Sequence, residues 1–549
     1  MDWYSADFET TTTEPTRVWL WAICSVNDYT KRCWGTDISS FFGELHKRKY
    51  RESIIYFHNL KFDGNFIIWH LLVEMGFKWV EKNPSENEFT TLISHLGQFY
   101  EIQINFGGRN KIKIRDSLKK LPFSVAEIAK AFNLVMTKGE IDYKAARAVG
   151  YVPSDIELDY IFRDVGIVAQ ALKMQYEQGY KRMTVSADAL AYFKKLDKYF
   201  DTHFPKLSLQ CDAFLRKAYK GGWVFCNPKY QGKEVGKGFV LDVNSMYPWA
   251  MKFKPLPYAI PKYFKGEYIP DTEYPLYITH FFADFKLKEN GIPSIQIKNN
   301  SRFCPTDYVT DSQGFCELTL TSVDFELLKM NYHIFEIKFI DGFMFRSATG
   351  IFAPYVDEFM KIKETSKGGK RTLAKLMQNG LSGKFAKNPD TTGVHPVFNQ
   401  EKNCISYVAN KKEMSDPVYV PVTSFITAWA RWNIITTASH CYDRFLYADT
   451  DSLHLLGDEI PEGVKVDPNK LGYWKKESEF IRAKYLHAKC YVEDEQDALK
   501  ITVAGLPKSS RGLVTFDNFT VGATYGGKLR PKRVQGGVVL VETDFTIKG

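Results

Sequence analysis

The 549-residue sequence contains no uninterrupted apolar run approaching the ~18 residues that a membrane-spanning helix needs. Its first residues have no basic stretch followed by an apolar one, because Asp2, Asp7 and Glu9 lie where a signal peptide would be apolar. It contains no C-x-x-C pair, and its nine cysteines are an odd number, which argues against a complete disulfide framework or a zinc ribbon. These absences predict an intracellular protein without a membrane span.

The charge balance is mildly basic and the aromatic content is high. Lys and Arg total 73 against 64 Asp and Glu, which leaves a net charge of +9, and aromatic residues make up 15% of the chain. A positive excess permits phosphate binding without requiring it, and most aromatic rings in such a chain fill cores. The length corresponds to about three to four domains, so a multidomain globular protein is predicted.

The order of strand-like and helix-like segments predicts an α/β (α+β multidomain) fold. In the first ~180 residues, strand-like segments 18–26 and 54–57 precede helix-like ones such as 66–75. A second α/β block begins near Tyr219. The remaining segments are a Pro-, Tyr- and Phe-rich insertion at 254–350, a helical pair at 349–387 joined by Ser366, Gly368 and Gly369, a polar insertion at 387–417, and a β-rich tail.

Asp7 and Glu9 are two residues apart at the end of a strand-like run. Residues two apart in a strand point to the same face, so both carboxylates can reach one site. A D-x-E pair by itself is weak evidence for a functional site, because it also fits the solvated end of a strand. Two other segments strengthen it: Asp63 follows an apolar strand-like segment, and Tyr160 and Asp164 lie four apart on one helix face.

If these carboxylates converge, they repel one another unless cations neutralise them. Mg²⁺ or Mn²⁺ is expected, because hard divalent ions prefer oxygen ligands. Two such ions stabilise the attacking and leaving oxygens in phosphodiester hydrolysis, and Tyr160 can orient the attacking water. The first half of the chain is therefore predicted to hold a nuclease site with two ions.

A second set of carboxylates lies in the second half of the chain. Asp242 ends an apolar strand-like segment that leads into a turn with Tyr247, and Asp449 and Asp451 belong to another turn before a strand. Either turn alone also fits a capped surface loop. Together, the carboxylates can bind two Mg²⁺ or Mn²⁺ ions beside a primer 3′-hydroxyl and a nucleoside triphosphate.

A basic helix face between these turns supplies the opposite charge. Lys367, Arg371 and Lys375 are spaced i, i+4, i+8, and Asn379 and Ser382 continue the stripe. Lysine faces are commonly just solvated. Here phosphate binding is predicted, because this face has to serve the acidic pair.

These segments resemble known polymerase motifs. D-x-E, N-x-x-F-D and Y-x-x-x-D resemble the three exonuclease motifs of proofreading DNA polymerases, and D-x-x-S-x-Y-P, K-x-x-x-N and Y-x-D-T-D-S resemble motifs A, B and C of family B DNA polymerases. The chain is more closely similar to the protein-primed subgroup, over nearly its whole length. The marks of that subgroup are YKGG at 219–222, TAWAR at 427–431, KCY at 489–491 and GGVVLV at 536–541.

In the first half, the resemblance implies a 3′–5′ exonuclease site. Its catalytic residues would be the metal ligands Asp7, Glu9, Asp63 and Asp164, together with Tyr160 and Lys138. The implied contacts to the single-stranded 3′ end are His58, Asn59, Phe62, Ser117 and Leu118.

In the second half, the resemblance implies that Asp242, Val243 and Asp451 bind the catalytic ions and that Asp449 supports the site. Tyr247 would pack under the incoming sugar and exclude a 2′-hydroxyl. The implied nucleotide contacts are Tyr247, Lys363, Arg371, Lys375, Asn379 and Ser382. The implied DNA contacts are Tyr219, Gly221 and Gly222, which pass the primer end between sites, and Thr427, Arg431, Lys489 and Tyr491, which hold the primer strand.

The resemblance also implies an RNase H-like exonuclease domain and a right-hand polymerase with two insertions. The expected divisions are 1–183 exonuclease, 184–253 palm, 254–350 first insertion, 351–386 fingers, 387–419 second insertion, 420–505 palm and 506–549 thumb. The first insertion would dock a terminal priming protein and the upstream duplex, and the second would displace the downstream strand. The expected partners of a monomeric enzyme are template-primer DNA, dNTPs and the terminal protein.

One motif departs from the family pattern. N-S-x-Y-G reads here Asn379-Gly380-Leu381-Ser382-Gly383, so the aromatic ring expected against the nascent base pair is missing at Ser382. Gly380 inside a helix costs about 1 kcal/mol relative to Ala. Weaker nucleotide binding or altered fidelity is predicted, with the chemistry intact.

Two other hypotheses remain open on the sequence. The chain could be a nucleic-acid-binding factor with a degenerate polymerase fold, although its acidic residues all remain. It could also be a repair nuclease whose second half only binds DNA. A primer-extension assay distinguishes the binding factor from a polymerase. The repair-nuclease hypothesis predicts that DNA is degraded and not extended even when dNTPs are present.

Overall fold

The computed structural model describes residues 2–143, 145–298, 301–303 and 307–549. The first domain is built on a mixed sheet with the strand order β3-β2-β1-β4-β8-β7-β6-β5. Its strands are β1 Trp3–Thr10, β2 Val18–Ser25, β3 Arg32–Gly35, β4 Ile54–Phe57, β5 Lys78–Trp79, β6 Glu88–Ile93, β7 Phe99–Asn105 and β8 Lys111–Asp116.

Helices cover this sheet because its central strands are apolar on both faces. All four residues of β4 are buried. Helix α4 packs on β1 and β2, and its N-terminus is fixed by a capping box in which Ser154 and Glu157 bond reciprocally to each other's backbone. The helices of this domain are α1 Ile38–Leu45, α2 Leu60–Trp69, α3 Val125–Ala131 and α4 Asp155–Glu177.

The second half is centred on a smaller sheet with the order β20-β11-β19-β18-β9. Alternate residues of β11, namely Phe239, Leu241 and Val243, are buried with Ile434 and Ile435 of α12. The two-residue period of a strand therefore turns the carboxylate of the intervening Asp242 away from that core. The strands are β9 Val224–Cys226, β11 Gly238–Val243, β18 Phe445–Asp449, β19 Ser452–Leu456 and β20 Trp474–Phe480.

Two helical layers and a further sheet surround this centre. The additional sheet has the order β10-β21-β22-β23. Its strands are β10 Glu234–Val235, β21 Arg482–His487, β22 Cys490–Asp494 and β23 Leu499–Val503. The helices are α5 Val185–Leu196, α6 Phe200–His203, α7 Leu209–Arg216, α8 Met246–Phe253, α10 Ala353–Thr365, α11 Gly368–Phe385 and α12 Val420–His440.

Both predicted insertions have their own secondary structure. The first contains a sheet with the order β12-β15-β13-β14, formed by β12 Leu256–Lys265, β13 Leu276–Leu287, β14 Cys316–Thr321 and β15 Tyr332–Ala348, together with α9 Ser322–Asn331. The second is a hairpin of β16 Val394–Asn399 and β17 Cys404–Ala409. The tail is a hairpin of β24 Thr524–Val534 and β25 Gly537–Thr546.

Both hairpins rest on the first domain. Tyr407 donates its hydroxyl to Asn65 Oδ1 of α2 at 3.0 Å, and the ring of His395 stacks on Trp79 with centroids 4.3 Å apart. At the tip of the tail hairpin, Gln535 accepts a hydrogen bond from the Thr16 backbone N–H at 3.3 Å. The two halves of the chain are thus joined at several separate places.

The sequence predictions hold for the type of element more than for its ends. The helical pair at 349–387 is confirmed, but the residues between α10 and α11 are Ser366 and Lys367, whereas Gly368 and Gly369, which were expected in the joint, begin α11. The helix expected at 66–75 begins earlier, at Leu60, because Asp116 Oδ1 accepts the backbone N–H groups of Asn59 and Leu60. Within the described ranges, no helix is long and apolar enough to cross a membrane.

The close approach of three strands at Gly238 generates a stability prediction. A Cβ at this position would lie 2.3 Å from the carbonyl oxygen of Leu455 and 2.3 Å from the Phe480 ring. We expect Gly238→Ala to lower the free energy of unfolding by about 1–3 kcal/mol, as overpacking does. Gly236→Ala is the matched control, because a Cβ there meets nothing within 4 Å. Equal thermal midpoints for the two variants would show that the strands tolerate a methyl group at Gly238.

Candidate active sites

The first site lies where two strands and two helices of the first domain meet. Asp7 and Glu9 are on β1, which runs parallel to β4. The chain leaves β4 through Asn59, in the left-handed region at φ 69°, and enters α2, whose first turn carries Asp63. Helix α4, packed on β1, supplies Asp164.

Burial raises the pKa of every one of these carboxyl groups, and repulsion by neighbouring carboxylates adds to the rise at Asp7, Glu9 and Asp63. Burial, followed by the nearby charge of Asp164, raises the pKa of Asp7 to about 7. Burial, followed by the charge of Asp7, raises the pKa values of Glu9 and Asp63 well above their ordinary range. Charges affect each other in this way only at short range, so these carboxyl groups lie near one another.

Lys138 and Tyr160 both contact this cluster. The Lys138 ammonium donates to Asp164 Oδ2 at 2.6 Å, and its charge partly offsets the rise that burial causes in the pKa of Asp164. The Tyr160 hydroxyl bonds to that of Tyr143. Sequence reasoning missed Tyr143, although this residue follows Lys138 in the segment K-G-E-I-D-Y.

The donor set fits a divalent cation, although the side chains do not already enclose one. Asp164 Oδ1 is buried and has no hydrogen-bond partner among the described residues. An unpartnered carboxylate oxygen beside other carboxylates is the type of ligand that Mg²⁺ takes. In the described ranges, no three His, Cys, Asp or Glu side chains have metal-holding geometry as they stand.

The predicted single-strand contacts divide into two groups. Asn59 is exposed, and His58, Phe62 and Leu118 are half-buried, so they remain accessible at the rim of the site. Ser117 is different: it is 0% exposed, and its hydroxyl bonds to Phe57 O at 3.1 Å and to His58 Nδ1 at 2.9 Å. Within the protein, the buried hydroxyl of Ser117 holds the His58 ring, and its contact with DNA remains a prediction.

The second site is formed by strand pairing. In the antiparallel pair β11–β19, Asp242 lies opposite Ser452, and the Val243 backbone N–H donates to the Asp451 carbonyl at 2.8 Å. This places Asp242 and Asp451 side by side. Burial, followed by the charge of Asp242, raises the pKa of Asp451 to about 6.

Two lysines neutralise the aspartates of this site. Lys489, in the left-handed region at φ 57°, contacts Asp449 Oδ2 at 2.6 Å. Lys475 on β20 contacts Asp242 Oδ1 at 3.0 Å. Lys489 was predicted as a DNA contact, whereas Lys475 and the nearby Glu477 were missed. The register between β20 and β11 places Lys475 opposite Asp242, but no local pattern in the sequence encodes that pairing.

A cavity of about 350 Å³ opens between these aspartates and the basic helices. Its lining includes Asp242, Val243, Tyr247, Lys363, Lys375, Asn379 and Asp451. Lys363 donates to Ser245 Oγ at 2.8 Å, and burial raises the pKa of Tyr247 to about 12. A neighbouring cavity of about 1020 Å³ shares Lys363 and Lys375 and adds Arg371. Arg371 and Lys375 of the predicted basic face therefore line cavities beside the acidic turns, whereas Lys367 lies in extended backbone before α11 and outside the described lining of both cavities.

The segment 379–383, which differs from the family pattern N-S-x-Y-G, is packed from both sides. Ser382 is 5% exposed, and its carbonyl accepts a hydrogen bond from Thr423 Oγ1 at 2.6 Å. At Gly380, a Cβ would lie 3.3 Å from Ser186 Cα. Gly380 thus lets α5 approach α11, and helix propensity alone gives no sign of this tight packing.

Two predicted primer contacts are buried and engaged within the protein. Thr427 is 4% exposed and bonds to carbonyls in its own helix. Arg431 is 3% exposed, and its guanidinium pairs with both carboxylate oxygens of Asp324 and donates to the carbonyls of Lys220 and Gly221. Both residues remain predicted primer contacts; within the protein, Arg431 positions the 219–222 loop and Thr427 bonds within α12.

Tyr491, the remaining predicted primer contact, is largely buried against the rings of Tyr447 and Tyr485. Tyr219 and Gly221 are more accessible. At Gly222, a Cβ would lie 2.6 Å from Thr450 Oγ1, so the 219–222 loop passes directly over the Asp449–Asp451 turn. This close approach explains why position 222 holds a glycine, which has no side chain.

An acidic strand pair that faces a basic helix across a cavity, together with a separate acidic cluster in the first domain, is the arrangement expected of an enzyme that acts on phosphodiesters. The family model described as DNA polymerase type B, organellar and viral, matches residues 44–157 and 151–467. The DNA polymerases of Bacillus phage Nf and Bacillus phage phi29 are 45% and 44% identical, over 99% of this chain and of each relative. That of Streptococcus phage Cp-1 is 34% identical over 100% of this chain and 98% of the relative.

The solved Phi29 DNA polymerase complexed with primer-template DNA and incoming nucleotide substrates superposes with a TM-score of 0.94. It is 43% identical, and the match covers 100% of both chains. The chain therefore belongs to the protein-primed family B DNA polymerases. It is a DNA polymerase with a 3′–5′ exonuclease, which confirms that prediction over a pure binding factor or a repair nuclease.

The buried carboxyl cluster generates a pH prediction. Because the pKa of Asp7 is raised to about 7 in the folded protein, its protonation favours folding. This contribution is complete below the ordinary carboxyl pKa and is lost as the pH rises through about 7. We expect Asp7→Asn, measured with divalent ions chelated, to gain stability over wild type from pH 4 to pH 8, by on the order of 2 kcal/mol.

Asp544→Asn is the control for this measurement, because Asp544 is exposed on the tail hairpin. Thermal midpoints recorded across the pH range test the idea. It is wrong if the difference between Asp7→Asn and wild type does not depend on pH.

Proposed function

We propose that this enzyme replicates DNA by extending a primer at the Asp242–Asp451 site and proofreads at the Asp7–Glu9–Asp63–Asp164 site. The observation that carries this proposal is the cavity with Asp242 and Asp451 on one side and Lys363 and Lys375 on the other. A triphosphate needs cations at its phosphates and carboxylate ligands for its metal ions, and this cavity offers both.

At the polymerase site, Asp242, Asp451 and the backbone at Val243 would hold two Mg²⁺ or Mn²⁺ ions. Such ions lower the pKa of the attacking hydroxyl and stabilise charge on the departing pyrophosphate. Lys363, Arg371 and Lys375 bind the triphosphate. Asn379 lies on α11 with Arg371 and Lys375, and Ser382 is about one turn further along the same helix.

Tyr247 is the proposed sugar selector of this site. It lies in the first turn of α8 and lines the cavity next to Asp242. A ring there supports the incoming sugar and leaves no space for a 2′-hydroxyl. Asp449 stays paired with Lys489 and supports the turn that carries Asp451.

At the exonuclease site, Asp7, Glu9, Asp63 and Asp164 would hold the two ions that stabilise the attacking and leaving oxygens. Tyr160 orients the attacking water, and Lys138 holds Asp164 in place. Asn59, Phe62, His58 and Leu118 contact the unpaired 3′ end at the rim. The raised pKa values support this assignment, because such a cluster favours binding of cations.

The proposed partners are template-primer DNA, dNTPs and a terminal protein that offers a hydroxyl as primer. Related solved structures of the phage enzyme are complexes with primer-template DNA, incoming nucleotide and single-stranded DNA. We assign the domain limits proposed from the sequence and place the terminal protein on the 254–350 insertion. The β16–β17 hairpin separates the downstream strand, and the enzyme works as a monomer in an infected bacterial cell.

Separate inactivation of the two sites tests the proposal. We expect Asp7→Ala to abolish degradation of single-stranded DNA while primer extension continues, because the sites lie in different domains. Asp451→Ala should abolish extension on a primed template and leave degradation intact. Both are measured on labelled primers with Mg²⁺. Loss of both activities in either variant would contradict the assignment of two independent sites.

Ser382 generates a prediction about nucleotide selection. We expect Ser382→Tyr to lower the KM for dNTPs several-fold and to reduce misinsertion, because stacking adds about 0.5–1.5 kcal/mol. Ser382→Ala controls for loss of the hydroxyl. Gly380 is kept, because a Cβ there would press on α5 at 3.3 Å. Unchanged KM and misinsertion would show that the missing ring does not matter.

A further inference from the structure

Lys475 occupies a place in the polymerase site that none of the recognised motifs includes. It lies on β20 directly opposite Asp242 of β11 in the antiparallel register. Directly opposed residues in such a pair extend to the same face of the sheet. Lys475 Nζ accordingly lies 3.0 Å from Asp242 Oδ1, while 37% of the lysine side chain stays exposed.

The same lysine lines both cavities of the site. It belongs to the lining of the 350 Å³ cavity with Asp242 and Asp451 and to that of the 1020 Å³ cavity with Arg371. Lys363 and Lys375 line both cavities too, but they come from α10 and α11. Cations thus face the same space from the helices on one side and from the sheet on the other.

These positive charges are close enough to affect one another. Burial lowers the pKa of Lys363, and the charges of Arg371, Lys375 and Lys475 lower it further. Mutual repulsion among cations is unfavourable unless an anion enters between them. Asp242 satisfies Lys475 only in part, because one carboxylate accepts one of the three donors of an ammonium group.

We propose that Lys475 is a further nucleotide-binding residue, whose ammonium contacts the polyphosphate of the incoming nucleotide from the palm side, opposite Lys363 and Lys375. The proposal rests on the nucleotide site proposed above. Lys475 pairs with Asp242 through one donor and offers its other donors to a phosphate oxygen. Charge-assisted bonds of this kind are the strong ones in phosphate recognition. The pyrophosphate product presents the same oxygens.

The test replaces Lys475 by Gln and measures nucleotide dependence in two ways. In primer extension at saturating DNA, we expect the KM for dNTP to rise about tenfold, with kcat changing less. On a dideoxy-terminated primer, which allows no chemistry, the dNTP concentration that retains the enzyme–DNA complex should rise by a similar factor. Lys475→Arg should stay within about threefold of wild type, because it keeps the charge.

Lys476→Gln is the matched control. Lys476 is the next residue of the same strand, but it extends over the Phe239 ring, pairs with Glu479 and lies outside the described lining of both cavities. Its removal costs the same charge, and nucleotide dependence should stay within about twofold of wild type. Thermal midpoints of all variants establish that they are folded.

Inhibition by inorganic pyrophosphate distinguishes the two sources of polyphosphate. If Lys475→Gln binds both dNTP and pyrophosphate more weakly, Lys475 contacts the product as well as the nucleotide. If only dNTP binding is weaker, Lys475 contacts the nucleotide alone. Unchanged dNTP dependence in both assays overturns the proposal, even if kcat or the Mg²⁺ requirement changes, since Lys475 would then act only on Asp242. Lys375→Gln separates this failure from failure of the proposed nucleotide site. If the site is correct, the KM of this variant for dNTP should rise whether or not Lys475 contacts the nucleotide.

Discussion

Repulsion between buried carboxylates is the constraint on which both sites depend. In each half of the chain, the fold brings acidic side chains from separate elements into a poorly hydrated place, where their negative charges oppose one another. Only a rigid framework can hold such groups together, because each would otherwise turn toward water. The central β1–β4 pair provides this framework in the first domain, and the β11–β19 pair provides it in the second.

Lysines from other elements balance this repulsion. Lys138 lies outside the regular elements and contacts Asp164, Lys475 reaches Asp242 from β20, and Lys489 reaches Asp449 from the turn before β22. None of these lysines neighbours its carboxylate in sequence. The sites are therefore products of tertiary structure, although the motifs that mark them are local.

The sequence predicts which acidic side chains lie near one another, because their pattern is local. A D-x-E strand, the turn after an apolar strand and a helical Y-x-x-x-D each fix the direction of a side chain within a few residues. Helices α10 and α11 could be predicted from glycine positions and charge spacing for the same reason. The domain limits remain predictions, since no single residue marks them.

The sequence does not predict contacts between residues that are far apart in the chain. Arg431 remains a predicted primer contact, and its motif gives no sign that the guanidinium pairs with Asp324 of the first insertion. Ser117 faces Phe57 and His58, about 60 residues earlier in sequence, instead of the surface. Lys475 was overlooked because only the strand register places it opposite Asp242. Position relative to a motif indicates that a residue matters, but not what it touches.

The two hairpins that rest on the first domain have a consequence for protein engineering. Ile405 of the second insertion and Val538 of the tail are buried in the same apolar cluster as Phe66 and Ile67 of α2. Deleting the proofreading domain would expose these apolar side chains to water and remove the contacts that hold both hairpins in place. A simplified synthetic enzyme is better obtained by point substitution of catalytic carboxylates than by truncation, since the proofreading domain also serves as scaffolding for the other half.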